Sequence, residues 1–173
     1  EQKNKQGEIS AYFMLTQSYT ADKKKDRAED TYRTIFEEVE PDSPLEVQMY
    51  MNYGSHLLGN SKKSKAEEIF EKAAETAQKI GEYAMAIECY RIIATLNDTV
   101  LTKDKMIRYF EKCLDIAKLM EPSVRDQSSL RFVASMLILK YEGDRDKKTI
   151  LDNEMKTYFG DEWRVSVEKP KAG

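Results

Sequence analysis

The chain has little of what closes small folds covalently or interrupts helices: 173 residues hold two cysteines, four prolines and seven glycines. Cys89 and Cys113 both fall inside apolar helical patterns and show no metal-ligand spacing, so they read as small buried hydrophobes. That excludes a disulfide framework or a zinc module as the organising principle. Scarce proline and glycine leave long stretches without a breaker. Together with abundant Lys, Glu, Ala, Leu, Ile and Met, this favours helices over a sheet or a disordered chain. No run of about eighteen apolar residues is present. The most apolar stretch, Leu130 to Leu139, is interrupted by Arg131 and Ser135 and reads as a buried helix, so no membrane insertion is expected. Excess positive charge is missing too: the net charge of −3 argues against a nucleic-acid surface built on whole-domain basicity.

Groups that converge for catalysis are equally sparse. The one histidine, His56, has no second histidine for a metal site and no neighbouring cysteine to activate, so it reads as a surface or packing residue. There is no glycine-rich phosphate loop and no nucleophile elbow. Carboxylate pairs such as Glu37-Glu38 and Glu67-Glu68 lie where solvated helix faces are expected. No catalytic residue, cofactor or metal is expected, and the chain reads as a non-enzyme.

What is present is a regular succession of helix signals. Ser43-Pro44-Leu45-Glu46 supplies an N-cap serine, a proline at the first helical position and a glutamate placed for a capping box. Ser64 with Glu67 and Ser123 with Asp126 are weaker starts. Gly59, Gly81 and Gly143 stand where apolar periods end, and Pro122 closes the helix before it. Between these marks the apolar residues recur at helical spacing, as in Ile69, Phe70, Ala73 and Ala77, or Ile107, Phe110, Leu114 and Ala117. The reading is of helices near 6–21, 26–40, 45–58, 62–80, 82–98, 102–120, 123–141 and 147–158, with short turns that make successive helices antiparallel. The expectation is one domain over residues 1–160 and a tail at 161–173, where Val165, Val167, Pro170 and Gly173 carry no helical period. Because the sequence begins at Glu1 rather than Met, upstream residues are expected to have been removed; the start says nothing of compartment, and a soluble, cytoplasmic chain is the default expectation.

Aligning the second helix of each pair exposes a repeat. Ala28, Tyr32 and Ile35, then Ala66, Phe70 and Ala73, then Met106, Phe110 and Cys113 share one spacing, with Ala28, Ala66 and Met106 separated by 38 and 40 residues. The first helices follow with Tyr12, Leu15, Thr16 and Tyr19; Tyr50, Tyr53, Gly54 and Leu57; Tyr90, Ile93, Ala94 and Asn97; and Leu130, Val133, Ala134 and Leu137. This pattern resembles the tetratricopeptide repeat, in which a small residue of the first helix lets the second approach closely while an aromatic of the second fills the space beside it. Residues 45–80 match best; the third unit has Met106 in place of the small residue, and in the fourth Ile150 stands nearest the aromatic position. The resemblance implies an all-α, antiparallel helix-pair solenoid of about four pairs, and with it a surface for another protein or a peptide rather than a catalyst: a scaffold or adaptor, a peptide-sensing regulatory receptor domain, or a secretion or assembly chaperone.

On that geometry the concave face would be lined by Phe13 and Gln17 of the first helix, Gln48, Met51, Asn52 and Ser55 of the third, Glu88, Arg91 and Thr95 of the fifth, and Ser128, Arg131 and Ser135 of the seventh. Amides and hydroxyls suit a peptide backbone, and Arg91 or Arg131 suits a carboxylate. The family's two-carboxylate clamp is matched only by Asn52. Charge is also segregated: turns within pairs carry Lys23, Lys24, Lys25, Lys62, Lys63, Lys65, Lys103, Lys105, Lys147 and Lys148, whereas turns between pairs carry Glu37, Glu38, Glu40, Asp42, Glu82 and Glu121. One basic and one acidic rim would serve docking of an acidic partner or self-association through opposite edges.

Overall fold

The computed structural model describes residues 2–21, 25–96, 102–141, 143–161 and 163. Among them the chain is all-α, with eight α-helices and no strand. They are α1 (Gln2–Ala21), α2 (Lys25–Glu38), α3 (Pro44–Gly59), α4 (Lys63–Lys79), α5 (Tyr83–Ala94), α6 (Lys103–Leu119), α7 (Gln127–Lys140) and α8 (Arg145–Phe159), with a short 3-10 turn at Pro122–Val124. Lys23, Lys24, Asn97, Val165, Val167, Pro170 and Gly173 lie outside the described residues, as do the side chains of Gln17 and Lys25. No helix is long and apolar enough to cross a membrane among the described residues.

The start of α3 forms as its sequence dictates. Ser43 Oγ accepts from the Glu46 amide at 3.1 Å with Pro44 in the first turn, so one otherwise orphaned donor is satisfied. The Glu46 carboxylate reaches one residue further back than a capping box requires and accepts from the Asp42 amide at 2.7 Å. That bond holds Asp42 at a positive φ of 54°. Other expected boundaries move. Ser64 does not cap α4, which starts one residue earlier after Lys62 with no side-chain cap. Ser123 sits in the 3-10 turn rather than opening α7; the cap is Asp126, whose Oδ1 accepts from the Ser128 and Ser129 amides. Helix α5 stops at Ala94, short of the expected 98. Gly59 ends α3 from inside, and the left-handed residue of that turn is Ser61.

The chain divides into two compact units, Glu1–Met85 and Ala86–Gly173, with the division inside α5. In the first, α1 packs on α2, α2 on α3 and α3 on α4. The α3–α4 hairpin depends on Gly54: a Cβ placed there would lie 2.7–2.9 Å from the Phe70 ring, which is itself fully buried. The helices therefore touch backbone to ring, the close approach that the spacing of Gly54 and Phe70 foreshadows. Helix α2 meets α3 through aromatic pairs, Phe36 stacked on Tyr50 at 4.6 Å and Tyr32 tilted on Tyr53 at 4.8 Å. His56 is buried here, with its ring centroid 5.5 Å from that of Tyr32 and its Nε2 2.9 Å from Asn60 Nδ2, so it is a packing histidine.

In the second unit, α5 and α6 meet through the stacked Tyr90 and Tyr109 rings, and α6–α7 and α7–α8 pack in turn. The Cys113 thiol donates to the Ile87 carbonyl at 3.5 Å. Cys89 and Cys113 are free and buried, and burial pushes both thiols up to about 12. The repeat positions Ala28, Ala66, Met106, Tyr32, Phe70 and Phe110 are all buried. Ile150 is not: it is 66% exposed, and the core position of α8 belongs to Leu151, one residue on. Trp163, beyond the end of α8, is fully buried and its indole donates to Asp152 Oδ1 at 3.1 Å.

Candidate partner-binding surface

In the first unit the candidate residues divide between core and surface. Phe13 is half-buried and packs against the cluster of Tyr32, Ile35, Val39 and Met49, so it contributes to the core rather than to an open face. On α3, Gln48 and Ser55 are exposed, and Met51 and Asn52 are half-buried. Their spacing puts them on one side of the helix, flanked by the buried Val47 and Gly54 on one edge and by Met49 and His56 on the other. Gln48 Nε2 donates to Asn52 Oδ1 at 3.5 Å, and Ser55 Oγ donates to the Met51 carbonyl at 2.9 Å. The result is a short row whose side-chain groups are partly spent on one another and on the helix backbone.

In the second unit the two arginines differ. Arg91 is engaged: its Nε and Nη2 donate to both oxygens of Glu88 at 2.9 and 2.6 Å. That fork raises its pKa above the ordinary value, so a partner's carboxylate would have to displace Glu88 to reach it. Arg131 is not so engaged. Its guanidinium carbon lies 5.2 Å from the centroid of the Phe159 ring, and its enclosed Nε has no acceptor among the described residues. Thr95 is exposed at the end of α5 and turns its hydroxyl back onto the Ile92 carbonyl. Ser128 is exposed in the first turn of α7. Ser135 is buried, at 6% exposure, and its place on a solvated face is corrected: from Leu130 to Leu137 α7 carries a wide buried stripe that takes this serine into it.

The rim charges are partly spent within the first unit. Lys62 and Lys65 both bind Glu29 of α2, and Lys79 binds Asp42. Burial acts to raise the Glu29 carboxyl, but the two lysines outweigh it and hold its pKa below the ordinary 4.5. In the second unit Lys147 lies 3.8 Å from Glu111, whose carboxylate also accepts from the Tyr141 hydroxyl at 2.7 Å. No group of three or more His, Cys, Asp or Glu is disposed to hold a metal ion among the described residues.

Sequence reasoning missed Phe159, because the aromatic under Arg131 lies in α8, outside the repeat positions. It also missed Arg125, which stacks on Tyr158 at 5.4 Å. The adjacent Tyr158-Phe159 pair at a helix end was the available signal.

The fold places this chain among all-α helical-repeat proteins. Among solved structures it is similar to the crystal structure of BtubC (BKLC) from P. vanneervenii, at 18% identity and a TM-score of 0.63 over 95% of this chain and 68% of that one. At that identity the similarity carries the fold alone. No family model matches the chain, and no curated protein matches it in sequence.

Proposed function

We propose that the chain is a non-enzymatic interaction module of tetratricopeptide-like helix pairs, which holds a segment of another protein on the outward faces of its first helices. The observation that carries this reading is Arg131: a charged fork, flattened on Phe159, with an enclosed Nε–H and no acceptor among the described residues. The cation has no carboxylate partner among the described residues, so it favours an incoming anionic or carbonyl group. The row on α3 supports the same reading, since the exposed Gln48 and Ser55 can exchange their bonds within the helix for the backbone of an extended or helical segment.

The test is affinity capture from the native lysate with quantitative mass spectrometry, using the wild type, a Gln48→Lys/Ser55→Lys variant and an Arg131→Glu variant. Loss of a partner from either variant, with circular dichroism and melting unchanged, is the expected outcome. Retention of every partner by both variants would overturn the assignment of these faces.

A further inference from the structure

The second unit contains an apolar cavity that the repeat pattern does not account for. Helices α6, α7 and α8 enclose about 100 Å³ lined by Leu114, Ala117, Leu130, Met155, Tyr158 and Phe159, with Lys118, Arg125 and Gln127 at the mouth. An apolar cavity of about 150 Å³ is enough to take a benzene ring, so this one has room for a single aliphatic side chain. Its surroundings are also apolar. Leu119 is 63% exposed and Val124 64%, and each adjoins a residue of the mouth in sequence; Tyr158, itself in the wall, is 47% exposed.

Charge at the mouth selects the occupant. Lys118 is neutralised by Glu154 at 3.1 Å and Asp115 at 3.6 Å. Arg125 and Arg131 have no carboxylate within ion-pair distance among the described residues. Arg125 donates through Nε and Nη2 to the Met120 carbonyl, at 3.1 and 2.8 Å, and lies on Tyr158; Arg131 lies on the next ring, Phe159. The acid nearest in sequence, Asp126, is occupied by the first amides of α7. A chain of net charge −3 thus carries two guanidinium groups with no carboxylate partner among the described residues, Arg125 in the pocket lining and Arg131 against the Phe159 ring that forms part of that lining.

We infer that this pocket anchors a protein segment by one aliphatic side chain with an acidic residue next to it, the side chain entering between α6, α7 and α8 and the carboxylate meeting Arg125 and Arg131. The inference rests on the reading of the chain as an interaction module and names the chemistry of the segment it holds. Apolar burial supplies the anchor, and the paired arginines reject segments that carry lysine beside it.

The probe is a decapeptide, Gly-Ser-Gly-Glu-Leu-Asp-Glu-Gly-Ser-Gly, titrated into protein labelled with ¹³C at the methionine methyls. The Met155 signal is identified by its loss in Met155→Leu. Saturable movement of that signal is expected, with affinity falling about tenfold to a hundredfold when the peptide leucine becomes serine. Replacing the three acids by their amides should weaken binding about tenfold. In the protein, Ala117→Leu fills the cavity and should abolish binding; the Arg125→Gln/Arg131→Gln pair keeps the apolar wall and should weaken binding about tenfold, which keeps the test valid if the filled variant does not fold. An unmoved Met155 signal, or equal binding of all three peptides, overturns the inference. The two readings fail separately. A native partner lost by the α3 variant or by Arg131→Glu but held by Ala117→Leu leaves the module standing and removes the pocket. Peptide binding at Met155 with no partner dependent on α3 does the reverse.

Discussion

Gly54 is the residue on which the first unit's closest helix contact turns. An alanine there gains about 1 kcal/mol of helix propensity but drives its Cβ into the buried Phe70 ring, where overpacking costs typically 1–3 kcal/mol. Because that ring is fully buried, we expect the clash to dominate: Gly54→Ala lowers the unfolding free energy by about 1 kcal/mol, read from urea denaturation. The two thiols make a second prediction at this scale. With both pKa values pushed up to about 12, the thiolate fraction at pH 8 is about 1 in 10,000, so Cys89 and Cys113 should resist a colorimetric thiol reagent until the protein is unfolded. Rapid native labelling at either position would contradict their burial. The sequence made Gly54 and the cysteines legible because packing imposes a spacing on them. Arg131 was legible only by half, since a charged residue on a helix face shows in the sequence but the ring beneath it does not.

Helices were placed well by periodicity and poorly by their starts. Ser43 worked as expected because Pro44 and Glu46 support the same register, and Ser43→Ala should cost about 1 kcal/mol. Ser123 misled because Asp126, three residues on, is the stronger cap and leaves the proline turn outside α7. In α8 the aromatic place of the repeat pointed to Ile150, whereas the buried side chain is Leu151; without an aromatic to mark the stripe, neighbouring aliphatics cannot be told apart by spacing. The α2–α4 tie through Glu29 was not readable at all, since it joins residues 33 and 36 positions apart. The Glu29 carboxyl is lowered in the folded protein, so its contribution is complete above the unfolded value near 4.5 and disappears as pH falls through the folded value. The lysines are about half exposed, which limits the contribution to roughly 0.5 kcal/mol. Glu29→Gln should therefore shift the urea midpoint at pH 7, and the shift should shrink progressively as the pH is taken below the ordinary value of 4.5.

At the scale of the molecule, the sequence conveyed the all-α class and the eight helices of the described residues because each helix carries its own apolar stripe. It did not convey the division into two units, which falls inside α5 rather than at a composition break. Nor did it convey how far the lysine and acidic rims are neutralised by ion pairs with neighbouring helices. Trp163 lay in what read as a periodless tail, yet its side chain closes against α8 and is fully buried. As the one indole of the chain, it gives the second unit a private optical signal. Its emission should be blue-shifted and shielded from iodide, while far-ultraviolet dichroism sums the helices of both units. Melting the wild type and Gly54→Ala under both signals then separates the two halves of the chain without cutting it, and the gap between the curves measures how far one half's unfolding is felt by the other.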